Sequence, residues 1–130
     1  MMPSFKLGME LRALVPGEQL EDVIANAPLA LVQFGTASCA PCRAIRQKVN
    51  LWLDERSKEP GRLPVDAVYV SLDEHPALAA QADVFSAPTL RFYAQGRLWA
   101  EAAGYFSLEE FLDRAERVER LMQESDVIRS

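Results

Sequence analysis

Leu29-Ala30-Leu31-Val32-Gln33-Phe34-Gly35-Thr36-Ala37-Ser38-Cys39-Ala40-Pro41-Cys42 passes from an apolar block through a small polar hinge to two thiols. Residues 29–34 have the length and the apolar run of a buried strand, bounded by Pro28 before it and by Gly35, Thr36, Ala37 and Ser38 after it. A helix follows at once. Cys42, Ile45, Val49, Trp52 and Leu53 recur at helical spacing, while Arg43, Arg46, Gln47, Lys48 and Asp54 take the other face.

Cys39 and Cys42 are the chain's two cysteines. At positions i and i+3 of a helix they face one side, and a Cα separation of about 5 to 6 Å lies within the span of a disulfide. The pair is therefore able to open and close in place. Ser38 is available as the N-cap, which sets Cys39 at the strand-to-helix turn. Unpaired backbone N–H groups and the positive helix end lower the cost of a thiolate there. Only a thiolate attacks a disulfide, so Cys39 reads as the nucleophile and Cys42, inside the first turn, as the resolving thiol.

The chain has 130 residues, 49% of them hydrophobic, enough for one domain with a real core and too short to expect two. A single domain over residues 1–130 is expected, with its core at about 18–122 and short extensions at both ends. The net charge of −5 and the lack of a basic block argue against a nucleic-acid partner. Residues 1–15 spread Lys6, Glu10 and Arg12 through a stretch with no continuous apolar run, unlike a secretory signal. No segment approaches the apolar length of a membrane span. The expected location is therefore the cytoplasm or a similar reducing compartment, where two lone cysteines are more often catalytic or metal-binding than structural.

Outward from the central stretch, residues 10–15 read as a short first strand closed by Pro16 and Gly17, followed by a helix with Leu20, Val23, Ile24 and Ala27 on one face. Residues 56–62, charged and holding Pro60 and Gly61, read as an exposed loop. Residues 65–72 read as another buried strand and residues 77–82 as a short helix. Residues 88–94 and 97–103 are strand-like runs joined by Gln95 and Gly96, a hairpin signal. Ser107 and Glu110 form a capping box, with a hydrophobic staple expected between Phe106 and Phe111. Leu112, Ala115, Val118 and Met122 continue the stripe of a final amphipathic helix, and residues 125–130 read as a loose end. This order predicts an α/β fold with a central mixed sheet of four to five strands and helices on both faces.

The element order, with Cys39-Ala40-Pro41-Cys42 heading the second helix, resembles the thioredoxin family from about Glu18 to Met122. Residues 32–42 look like the family's strand and active-site turn, and Ser86-Ala87-Pro88-Thr89 like its cis-proline loop. Asp73 and Pro76 match its acidic turn, and Gly96 and Gly104 its late glycines. The resemblance implies that Pro88 is cis and packs against the disulfide. It also implies that Ala40, Pro41, Ala87, Pro88, Gly104 and Tyr105 meet the substrate, with Ala87 offering its backbone to an extended segment.

Three positions depart from the family pattern. Ser38 stands where the family commonly has Trp, Gln33 where it has a buried Asp, and Tyr69 where it has the partnering Lys. A Gln amide takes no proton at neutral pH, so a proton route from Cys42 cannot run through position 33. Water or the Tyr69 hydroxyl is left as a replacement. Joint loss of the pair is what physics tolerates, since one buried charge without its partner is costly.

What the resemblance implies is dithiol–disulfide exchange. The chain would be a protein-disulfide reductase acting on disulfide-containing protein substrates and recharged by a thiol-reducing partner. It would be monomeric and need no cofactor beyond the reversible Cys39–Cys42 disulfide. The reading from another class is a non-catalytic chaperone or docking module on the same fold. A zinc site needs about four ligands, and beyond the cysteines only His75 and carboxylates remain, so no metal is expected. His75 reads as an exposed turn residue, Trp52 and Trp99 as core or half-buried side chains, and Arg43, Arg46 and Lys48 as a solvated face from which Arg43 is able to help hold a thiolate.

Overall fold

The strand at Leu29–Gly35 (β2) is buried along its whole length because it lies at the centre of a five-stranded sheet. The computed structural model describes residues 9–129, with side chains as far as Glu124. Residues 1–8 of the stretch read for a leader lie outside it, as does Ser130. The other strands are β1 (Arg12–Ala13), β3 (Val65–Ser71), β4 (Thr89–Ala94) and β5 (Arg97–Ala103), and the sheet order is β1-β3-β2-β4-β5. β1 and β2 run parallel to β3, whereas β4 is antiparallel to both β2 and β5. The helices are α1 (Leu20–Asn26), α2 (Ala40–Ser57), α3 (Pro76–Gln81) and α4 (Leu108–Arg129).

Strand alternation divides the core in two. Leu29, Leu31, Ala67, Leu90 and Phe92 pack with Val49 and Leu53 of α2 and with Phe111, Ala115 and Val118 of α4. Ala30, Val32, Phe34, Val68 and Val70 turn the other way, toward Leu20 and Val23 of α1 and Val84. A strand covered on both faces has no polar side to show, which is why residues 29–34 read as an apolar run with Gln33 its one polar member. Truncating a fully buried residue such as Leu31 to Ala would cost about 2–5 kcal/mol.

Four local expectations are corrected. β1 is two residues, not six, because the donors around it are spent on side chains: the Leu11 N–H goes to Asn50 Oδ1 at 2.7 Å and the Val15 N–H to Glu18 Oε1 at 3.0 Å. Arg12 itself grips Glu18 and Asp66, tying the entry of α1 to β3. Trp99 is 44% exposed, a surface side chain and not a core one. The register skips it, with Tyr93 opposite Leu98 and Phe92 opposite Ala100, so this bulge residue sends two consecutive side chains outward. α4 continues through the backbone read as a loose end, as far as Arg129.

The charged segment 56–62 is the largest surprise. α2 runs on to Ser57, and Arg56 falls on its buried stripe one turn after Leu53 and Trp52. Arg56 and Glu119 form an ion pair at 2.7 Å with both side chains 4% exposed. Arg62 closes on the same carboxylate from Nε and Nη2, and the Leu63 N–H reaches Oε2 at 2.8 Å. Burial alone would raise the Glu119 carboxyl. Hydrogen bonds from Arg62, Arg56 and the Leu63 amide outweigh it and hold the group below the usual carboxylate range.

The β4–β5 hairpin turns on Gln95 at φ 52° and Gly96 at φ 79°. Positive φ at both central residues suits the right-handed twist of the strands. At α4, Ser107 Oγ accepts the Glu110 N–H at 3.2 Å, and Phe106 and Phe111 join one apolar cluster.

Candidate functional site

Cys39 and Cys42 are joined by a disulfide, with their Cα atoms 5.3 Å apart. Cys39, not Ser38, is the N-cap of α2, and its Sγ accepts the Cys42 N–H at 3.1 Å. The cap moves one residue because Ser38 Oγ pairs with Thr36 Oγ1, 3.4 Å away. Pro41 then lies in the first turn, where its missing N–H costs nothing. The Cys39 N–H donates to Thr36 O at 3.3 Å, and Asp73 Oδ2 accepts the Ala37 N–H at 3.2 Å. The acidic turn after β3 thus anchors the loop carrying the thiols.

The two sulfurs see different surroundings. Cys42 is 2% exposed and faces the sheet, whereas Cys39 is half-exposed at the helix end. The more accessible sulfur is also the one beside the positive end of an 18-residue helix.

On one side of the disulfide a groove of about 740 Å³ brings together Pro41, Ala87, Pro88, Gly104 and Tyr105. The Ala87–Pro88 peptide is cis, and the Gly104 N–H donates to Pro88 O at 3.0 Å, which holds the 104–105 turn against the proline. Ala40 is exposed but does not line this groove. Ile45 of α2 and Leu112 of α4, read in the sequence only as apolar positions on their helices, form its apolar floor together with Leu108, to which the sequence reading gave no role. Tyr105 is fully exposed at its rim. Phe85, 80% exposed just before the proline loop, was not singled out in the sequence. Its signal was an aromatic between Val84 and Ser86 in a segment with no strand or helix pattern.

On the other side lies a smaller cavity of about 270 Å³, lined by both cysteines together with Arg43, Arg46, Tyr69 and Glu74. Gln33, fully buried beneath Cys42, donates from Nε2 to the Cys42 carbonyl at 2.9 Å, and its Oε1 has no partner among the described residues. Tyr69 stands opposite Gln33 in the β2–β3 register, with the Arg46 guanidinium 4.6 Å from its ring centre. A Cβ on Gly35 would lie 2.2 Å from the Tyr69 hydroxyl and 3.1 Å from Cys42 Sγ. Gly35 is therefore the residue that lets phenol and thiol approach the same point.

His75 is half-buried rather than exposed at the start of α3 and lines neither hollow beside the disulfide, although its neighbour Glu74 lines the smaller one. No group of three or more His, Cys, Asp or Glu side chains suited to a metal occurs among the described residues. No helix among them is long and apolar enough to cross a membrane.

The family model described as Thioredoxin matches residues 13–117. The chain belongs to the thioredoxin family. It is 28% identical over 96 residues to Thioredoxin-2 of Pyricularia oryzae, covering 74% of this chain and 53% of that protein. It is 27% identical over 104 residues to a thioredoxin of Mycoplasma genitalium, covering 80% and 93%. The chain thus spans about half of the first relative and nearly all of the second. Among solved structures, a thioredoxin of Fasciola hepatica superposes with a TM-score of 0.67 at 26% identity, covering 82% of this chain and 98% of that one. One from Halobacterium salinarum gives 0.70 at 22% identity, covering 90% and 96%, a likeness of fold alone.

Proposed function

We propose that this thioredoxin-family chain is a thiol–disulfide oxidoreductase that reduces disulfides in partner proteins. The observation that carries the reading is the asymmetry of the thiol pair: Cys39 is half-exposed at a helix N-terminus beside an apolar groove, and Cys42 is buried directly behind it. In the reduced protein the Cys39 thiolate attacks one sulfur of a partner disulfide. A mixed disulfide forms and the partner's other sulfur leaves as a thiolate, which takes a proton from water. Cys42 loses its proton and attacks Cys39, the Cys39–partner bond breaks, and the Cys39–Cys42 disulfide forms. The partner has gained two electrons and two protons, and a thiol-reducing partner must return both to this chain.

The groove suits an extended segment with apolar side chains, which would lie along Pro88 and Gly104 with its disulfide toward Cys39. The cytoplasm or a similar reducing compartment would keep the dithiol charged, and the protein would work as a monomer. Insulin reduction driven by dithiothreitol tests the reading. Acceleration over buffer that disappears in Cys39→Ser is the expected result; no acceleration, or equal acceleration by Cys39→Ser, would leave the fold serving as a docking module.

A further inference from the structure

Resolution requires Cys42 to become a thiolate in a buried place, and Gln33 beneath it is of no help. Its Nε2 is committed to the Cys42 carbonyl, its Oε1 only accepts, and an amide takes no proton at neutral pH. Burial alone favours the neutral thiol. Some donor must therefore face Cys42 Sγ. Several polar groups border the cavity. From α2 come Arg43 and Arg46, both exposed; from the turn after β3 comes Glu74, also exposed, whose charge has the wrong sign; from β3 come Tyr69 and Ser71, and from the loop after β2 comes Thr36. The Ser71 hydroxyl accepts the Glu74 N–H and the Thr36 hydroxyl pairs with Ser38 Oγ, whereas the Tyr69 hydroxyl has no such neighbour among the described residues and meets Cys42 Sγ over Gly35. Asp73 is engaged by the Ala37 N–H.

We propose that the Tyr69 hydroxyl stabilises the Cys42 thiolate during resolution by donating a hydrogen bond to it across the space that Gly35 leaves open. Hydroxyl and sulfur both come within 3.1 Å of the point where a Gly35 Cβ would stand. A phenol is a donor at neutral pH, and the Arg46 guanidinium over its ring holds the side chain in place while adding positive charge on the same side. The thiol proton passes to water in the 270 Å³ cavity, which opens to solvent beside Arg43 and Glu74. The thiolate then forms the Cys39–Cys42 bond as the partner leaves. Tyr69 ends the step with its own proton, so it assists the transfer without being consumed.

The inference rests on the exchange reading above, and two measurements separate their failures. In a Cys39→Ser background the Cys42 thiolate is titrated by its ultraviolet absorbance, with and without Tyr69→Phe, which keeps the ring and its Arg46 contact. The expected result is a Cys42 titration displaced to higher pH by Tyr69→Phe; superimposable curves overturn the inference whatever the chain's activity. In the native background, single-turnover reaction with a disulfide peptide resolves attack from release. Tyr69→Phe should slow release roughly 10-fold at pH 7 while attack by Cys39 changes by less than about twofold. The deficit should vanish in alkali, where Cys42 is ionised in both proteins. A release rate equal to the parent's across the pH range overturns the inference. A chain that forms no mixed disulfide, yet shows the displaced titration, instead keeps the Tyr69 contact and removes the exchange reading.

Discussion

The two ends of helix α2 solve the same problem in opposite ways. At the Cys42 end, the side chain beneath the thiol is the neutral Gln33, with one hydrogen bond made and one acceptor left over. At the Arg56 end, one turn past Leu53, a full ion pair is buried: Glu119 is held by Arg56, Arg62 and the Leu63 amide together. The Glu119 carboxylate has three partners and keeps its charge inside, although Arg56 Nε finds no acceptor among the described residues, so each end of the helix leaves one polar atom over. The end with no buried charge is the one that carries the thiols, and there a buried carboxylate would compete with a Cys42 thiolate for the same low-dielectric space.

Glu119 is the residue whose loss should separate the two ends of α2 most clearly. Glu119→Ala leaves Arg56 buried without its partner and should cost about 3–5 kcal/mol in urea or guanidinium unfolding, with the rate of Cys39 attack unchanged. A loss below about 1 kcal/mol would mean the cluster behaves like a surface pair. The same residue sets an acid limit. Because the folded Glu119 carboxyl lies below its unfolded value, its stabilisation is fully present above the ordinary carboxylate range and is lost as pH falls through the folded value. Unfolding midpoints taken from pH 7 downward should therefore fall in acid, and Glu119→Gln should flatten that fall.

Gly35→Ala probes the other end with a smaller effect. The new methyl meets the Tyr69 hydroxyl at 2.2 Å and its ring carbon Cζ at 2.8 Å. The side chain must shift, at a cost of about 1–3 kcal/mol. Combining it with Tyr69→Phe should recover part of the loss, since the nearest clashing atom is gone, and strict additivity of the two would contradict the packing described here. Gln33→Leu should be the mildest change, within about 1 kcal/mol, because it removes the orphaned Oε1 along with the bond to the Cys42 carbonyl. A large loss there would show that the amide holds the end of α2 in place.

Much of the site lay open in the sequence because its signals are local. The apolar run at 29–34, the thiol spacing, and the Gln95-Gly96 turn are each read within a few residues. What stayed hidden depends on pairs distant in the chain. Residues 56–62 carry the composition of a loop, and only Glu119, supplied by a different helix, turns Arg56 into a core residue. Trp99 lies in an ordinary strand pattern, and a bulge known only from its partner strand turns it outward. The family resemblance marked Gln33 and Tyr69 as changed, but the close approach of Tyr69 to Cys42 over Gly35 exists only once β2 and β3 are in register.

The proposed exchange depends on a division of labour between an attacking Cys39 and a resolving Cys42. Mass spectrometry after mixing Cys42→Ser and, separately, Cys39→Ser with a disulfide-bonded peptide tests it most directly. A stable covalent adduct through Cys39 is expected in Cys42→Ser and none in Cys39→Ser. Adducts of equal yield in both variants, or none in Cys42→Ser, would contradict it.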